Sequence, residues 1–172
     1  MSRLVATFFY VGLLRPAPGT WGSAAAIPVA WGLHWAGGFP LLAVATLAAF
    51  VLGWQATAAA TRDGDDHDPS EIVIDEVVGQ WIALWPLSGG LWYMGVDPWV
   101  FPWPGWVGGF VMFRLFDIWK PGPVGWADRR KDAFGVMMDD VVAGLMAAVV
   151  VTAAGTLAHR GAELWEFLAW LL

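Results

Sequence analysis

Apolar positions run through this chain in long blocks, not in the strict alternation of a half-buried strand. Five blocks stand out: Trp21 to Ala36, Phe39 to Ala60, Val77 to Val96, Trp99 to Phe116 and Val136 to Ala158. A bilayer crossing takes about 20 apolar residues. The pattern therefore predicts an all-α fold, a polytopic membrane helical bundle of about five spanning or half-spanning helices. Pro86, Gly89, Gly90, Pro102 and Pro104 interrupt the third and fourth blocks and blur their ends. Leu4 to Leu14 and Ala162 to Leu172 are too short to span and are expected as short interfacial helices at the two ends. Residues 1–172 read as a single integral-membrane domain.

The links between blocks give a topology. Only Gly37 and Gly38 separate the first two blocks, and only Asp97 and Pro98 the next pair, so each pair is expected to fold as a tight helical hairpin. A hairpin returns the chain to the side it left. Loops 15–23, 61–76 and 117–135 then open on one face. Arg3, Arg15, Arg62, Arg114, Lys120, Arg129, Arg130 and Lys131 fall on that face, against Arg160 on the other. The positive-inside rule makes it cytoplasmic, which implies a multi-pass protein whose polar loops face the cytoplasm.

Composition agrees with a membrane protein. Charged residues are 14% of the chain and hydrophobic residues 58%, whereas soluble domains carry about 25% charged residues. A net charge of −6 excludes the basic surface that nucleic acid requires. There is no cysteine, so a metal must be held by oxygen or imidazole. Nothing in the sequence signals an oligomeric state.

Two acidic pairs stand where a membrane protein avoids charge. IVIDEVVGQW carries Asp75 and Glu76; VMMDDVVAGL carries Asp139 and Asp140. Upstream, Asp68, Pro69 and Glu71 have the spacing of a helix N-cap, a first-turn proline and a capping box, which would place Asp68, Asp75 and Gly79 on one stripe. Four carboxylates opening on one face would repel one another unless a cation sat among them. Oxygen ligands without cysteine suit Mg²⁺ or Mn²⁺. The loop FRLFDIWKPGPVGWADRR supplies the opposite charge: Arg114, Lys120 and Arg129 are candidates to grip a phosphate. Asp117 and Asp128 would orient these bases or add ligands. In RPAPGTWGS, Thr20 and Ser23 precede an apolar helix and could receive an anion there, although a turn with an N-cap is the commoner meaning. His67 and Asp68 are candidates to relay a proton.

PAPGTWGS, HDPSEIVIDEVVG, FRLFDIWKPGP with ADR, and GVMMDDVVAG, in this order, resemble the phosphatidylglycerophosphatase A family over roughly residues 8 to 150. The resemblance implies an all-helical bacterial inner-membrane enzyme. Its substrate would be phosphatidylglycerophosphate, a phospholipid in the bilayer, converted with Mg²⁺ to phosphatidylglycerol. The family pattern includes these positions, and the chemistry of the residues suggests their roles: Asp75, Asp139, His67 and Asp68 as catalytic, Asp75, Glu76, Asp139 and Asp140 as metal ligands, and Arg114, Lys120, Arg129, Thr20 and Ser23 as the phosphate site. Lys131, Asp132, Ala133 and Phe134 depart from the small, Gly-rich turn that such proteins tend to carry before the last motif. The rival reading is a cation-coupled transporter or channel whose intramembrane acids line a path; a lipid-binding scaffold is a second.

Overall fold

The computed structural model describes residues 2–62 and 69–171, with side chains through Arg160 in the last helix. The helices are α1 (Ser2–Ala6), α2 (Pro18–Ala60), α3 (Ile74–Tyr93), α4 (Trp103–Trp119), α5 (Pro123–Asp128) and α6 (Ala133–Leu171). No strand occurs among the described residues. Long apolar runs favour this outcome because a helix satisfies its backbone hydrogen bonds internally. Two segments, Pro18–Ala60 and Ala133–Arg160, are long and apolar enough to cross a membrane.

The glycine pair breaks α2 into two limbs. Gly37 (φ −158°, ψ 17°) and Gly38 (φ 64°, ψ −161°) leave helical geometry, and Gly38 lies against Trp92, where a Cβ would collide. Both limbs then lie along α3. In the first, Gly22 sits against Val73, and the carbonyl of Ala26 accepts the Trp81 indole N–H (2.9 Å). In the second, Thr46 accepts the Trp85 indole N–H (3.2 Å), and Gly53 sits against Ile74. The chain therefore reverses at Gly37–Gly38, as the sequence predicts.

Four expectations are corrected. The stretch Leu4 to Leu14 is not one helix: α1 stops at Ala6, and Phe8, Phe9 and Tyr10 take left-handed φ of 44°, 56° and 68°. The Ala6 carbonyl instead accepts the Val73 N–H (2.9 Å), and the Thr7 hydroxyl accepts the Tyr10 N–H (3.1 Å). Nor does α3 begin at Pro69. It begins at Ile74, after a turn closed by Ile72 N–H to the Pro69 carbonyl (2.8 Å), so Glu71 closes no capping box and pairs with Arg3 instead (3.4 Å). The link between α3 and α4 is not the dipeptide Asp97–Pro98 but residues 94–102, because Gly95 at φ 65° and Pro102 hold the backbone out of the helix. Finally, the C-terminal stretch is no separate helix; α6 runs unbroken to Leu171.

Helix α3 is the centre. It packs on α2, α4 and α6 and contributes Val77, Val78, Ile82 and Leu84 to the core, each no more than 4% exposed. The outer faces are apolar as well: Val44 and Leu47 on α2 and Val149 on α6 are more than half exposed. Lipid, not water, suits such an exterior.

Candidate active site at the crossing of α3 and α6

α3 and α6 touch through glycine. A Cβ on Gly144 would fall against the Gly79 carbonyl oxygen, and one on Gly79 would strike the Phe113 ring and the Asp140 carbonyl. Close backbone approach of this kind is what small residues provide where apolar helices pack. Each glycine follows an aspartate by four residues, about one helical turn: Asp75 before Gly79, Asp140 before Gly144. The two helices run in the same direction, so the aspartates meet one turn from the contact. Asp75, Glu76 and Asp140 present carboxylate oxygens that all lie within 4.8 Å of one another. That contact is the physical content of the paired sequences DEVVG and DDVVAG.

Asp139 is not in this group of three. One of its oxygens accepts from Lys120 (2.8 Å) and the other from the Asp140 backbone N–H (3.0 Å). Lys120 ends α4 in a left-handed conformation (φ 48°, ψ 53°), with its N–H on the Phe116 carbonyl (2.9 Å). A lysine in that region is uncommon and is held by its surroundings. Its ammonium bridges Asp128 and Asp139. Burial works against the Lys120 charge, but these two carboxylates outweigh it and raise the group above its ordinary range.

Arg114 stands on the other side of Glu76. It pairs with Asp117 (2.5 Å) and donates to the Ser23 hydroxyl (3.4 Å), which in turn donates to the Gly19 carbonyl (2.8 Å). Gly19 fits between Glu76 and Arg114; a Cβ there would overlap the Glu76 carboxylate and come within 3.2 Å of the guanidinium. Thr20 is half-buried in the same helical turn. Arg129 is exposed and makes no ion pair among the described residues. His67 and Asp68 lie outside the described residues.

Several polar atoms here are buried without a hydrogen-bond partner: Glu76 Oε2, Asp140 Oδ1 and Arg114 Nε. A buried, unpaired polar atom costs about 1–3 kcal/mol, so such a concentration calls for a ligand. The carboxylate group fits a hard divalent cation, which takes oxygen donors. The Arg114 N–H fits an anion. Groups suited to a cation and groups suited to an anion thus share one end of the bundle.

One buried residue escaped the sequence reading, and one named there without a role takes a structural one. Gln80, four positions after Glu76, is fully buried, and neither amide atom has a partner. An amide inside an apolar membrane-type helix is costly, and that was the available signal. Asp132 accepts the Gly135 N–H (2.7 Å) and pairs with Arg130 (3.0 Å), so it caps α6. The Arg130 guanidinium, then the Gly135 N–H, hold its carboxyl below the usual range. Phe134 follows and packs on Trp54 (5.4 Å), so the departure at Lys131–Phe134 builds a helix start.

The chain is similar in sequence to known proteins. The family model described as phosphatidylglycerophosphatase A matches residues 4–155. A phosphatidylglycerophosphatase A of Escherichia coli is 36% identical over 87% of this chain and 80% of its own. One of Haemophilus influenzae is 36% identical over 88% of this chain and 86% of its own. A Bacteroides thetaiotaomicron relative, 34% identical over 88% of this chain and 91% of its own, bears a provisional name as a phosphatidylinositol-3-phosphatase. No solved structure matches the chain. With a family model spanning nearly its whole length, the chain belongs to the phosphatidylglycerophosphatase A family and is a phosphatase.

Proposed function

We propose that the chain hydrolyses the terminal phosphate monoester of phosphatidylglycerophosphate, giving phosphatidylglycerol, with Mg²⁺ as cofactor. The observation that carries this is the pairing of unspent groups: carboxylate oxygens of Glu76 and Asp140 without partners, beside an Arg114 N–H without one. Asp75, Glu76 and Asp140 would hold the metal. When bound, a divalent ion there supplies Lewis-acid polarisation of a phosphate oxygen and a more acidic water.

The chain's own groups do the rest. Arg114, oriented by Asp117 and Ser23, binds phosphate oxygens and offsets the charge of the transferring group, which is most of phosphoryl-transfer catalysis. Lys120 sets the Asp139 carboxylate at the N-terminal side of the acid group, where it can hold a proton in transit. Arg129 and Thr20 line the approach for the headgroup. His67 and Asp68 remain candidates for proton relay.

The bundle sits in the bacterial inner membrane as a multi-pass protein with this site toward the cytoplasm. In support, Arg3, Arg15, Arg114 and Lys120 lie at the end where α2 begins and α4 finishes. A cation path is disfavoured: Asp75, Asp139 and Asp140 gather at that one end, and Asp97 at the other is exposed. The test is phosphate release by purified protein in detergent micelles, with phosphatidylglycerophosphate and phosphatidylinositol-3-phosphate compared. Release from the first, lost on chelation, supports the reading. Release from neither, or release undiminished by chelation, sinks it. Because the chain lacks cysteine, single Ser70→Cys and Gly95→Cys variants report sidedness with an impermeant maleimide. Labelling of Gly95→Cys from the cytoplasm would reverse the topology.

A further inference from the structure

The polar contact between Ser23 on α2 and Arg114 on α4 is the mouth of an apolar groove. Below it the two helices frame a crevice of about 290 Å³, lined by Ala24, Ile27 and Pro28 on one wall and Trp106 and Phe110 on the other. Trp106, Phe110 and Arg114 are spaced by four residues and share a face of α4. From Arg114 to Trp106 that face descends about 12 Å at 1.5 Å per residue. The α2 wall begins at the residue after Ser23. Groove and acid site are therefore continuous, polar at one end and apolar along the rest.

The crevice is also open sideways. Pro28 is exposed and the other four lining residues are half-buried, so whatever fills it arrives from the surroundings of the bundle. The surroundings select the occupant. The outer faces of the bundle are apolar and suit lipid, so what reaches this crevice is hydrocarbon. An apolar slot joined to the Ser23–Arg114 contact suits a segment of one lipid chain whose headgroup reaches that contact.

We propose that this groove seats one acyl chain of the lipid substrate and so holds the headgroup at the Ser23–Arg114 end, beside the acids. This rests on the lipid-phosphatase reading above. A chain leaving the bilayer for the groove exchanges one apolar setting for another, so it gains little from hydrophobic transfer. The groove's contribution is position. The proposal accordingly expects a moderate loss of kcat/KM when it is filled, not abolition.

The experiment compares two substrates on the full-length protein: dioleoyl phosphatidylglycerophosphate in mixed micelles, and the same headgroup with both acyl chains removed. Ile27→Trp fills the groove. It is expected to lower kcat/KM about fivefold to tenfold for the dioleoyl lipid while leaving the deacylated headgroup within about twofold. Equal losses on both substrates, or no loss on either, overturn the groove. A second measurement does not depend on turnover: a phosphatidylglycerophosphate with a photoreactive diazirine at mid-chain, in vesicles, should label peptides containing residues 24–28 and 106–110, and less so in Ile27→Trp. Labelling spread evenly over exposed faces such as Val44 and Leu47 overturns it. If the unmodified protein hydrolyses neither substrate, the functional reading fails, and the labelling pattern alone decides the groove.

Discussion

Two polar clusters are buried in this apolar bundle, and they are built to opposite rules. At the end away from the acids, the His34 ring shares a hydrogen bond with the Ser88 hydroxyl (2.8 Å), and Thr46 donates to the Leu42 carbonyl (2.7 Å) while accepting from Trp85. Each group has found a partner within the chain. At the acid end, Glu76, Asp140, Arg114 and Gln80 all keep buried polar atoms without one. A satisfied polar cluster joins helices; an unsatisfied one is completed by something else. The glycines of α3 follow the same division. Gly79 is wedged at the acid end, whereas Gly89, nearer the other end of α3, meets nothing closer than Phe39 at 3.7 Å, and Gly90 meets nothing within 4 Å.

The strongest way to break this contrast is to alter the acid cluster. Asp140→Asn should lower phosphate release by at least about a hundredfold, as loss of a group placed for developing charge does. Yet it should leave the apo protein as stable or more so, because it removes one of several crowded like charges. An unfolded variant, seen by melting or by gel filtration in detergent, would instead make Asp140 structural. Next comes the ligand itself. Mg²⁺ at a hundred times its Kd should stabilise the wild-type protein by about 2.7 kcal/mol, and Asp140→Asn should erase that gain. An equal thermal shift in the variant would place the cation elsewhere.

The glycines test whether the close approach matters. Gly79→Ala forces a Cβ into Phe113 and the Asp140 carbonyl, an overpacking that costs about 1–3 kcal/mol. It also displaces the acids, so activity should fall further than stability does. Gly90→Ala, where a Cβ would meet nothing, is the control; a helix glycine replaced by alanine without strain gains about 0.4–1 kcal/mol. Equal behaviour of the two variants would erase the difference between the regions. At the far end, Ser88→Ala strands the His34 ring nitrogen and should cost about 1–3 kcal/mol with activity per folded molecule unchanged.

What the sequence made legible follows from how local each signal is. Two glycines between apolar blocks were enough to place the reversal in α2, since no side chain there opposes it. The start of α3 was misplaced because the capping signature at Asp68, Pro69 and Glu71 is local, while the tie that delays the helix, Val73 to Ala6, spans most of seventy residues of chain. The likeness of DEVVG to DDVVAG was visible. That both acids of the first pair but only Asp140 of the second join the cluster was not, since that depends on the Gly79–Gly144 contact. Counting back one turn from each glycine selects Asp75 and Asp140; counting acids from the left would select Asp75 and Asp139. Lys120 settles the matter by holding Asp139 away, through an ion pair across nineteen residues.

Gln80 gives the finest test of the contrast, because it belongs to the acid end by its unsatisfied amide and to the core by its burial. If it is only a packing residue, Gln80→Leu replaces two unpaired polar atoms with methyl groups of similar shape. The protein should then gain up to about 1–3 kcal/mol and work as before. If its amide serves the site, being one turn from Glu76, the same change should stabilise the apo protein and lower kcat several-fold, with Mg²⁺ affinity little altered. We expect the second outcome. Stability gained together with activity lost is the behaviour of a group kept at a cost for what it binds.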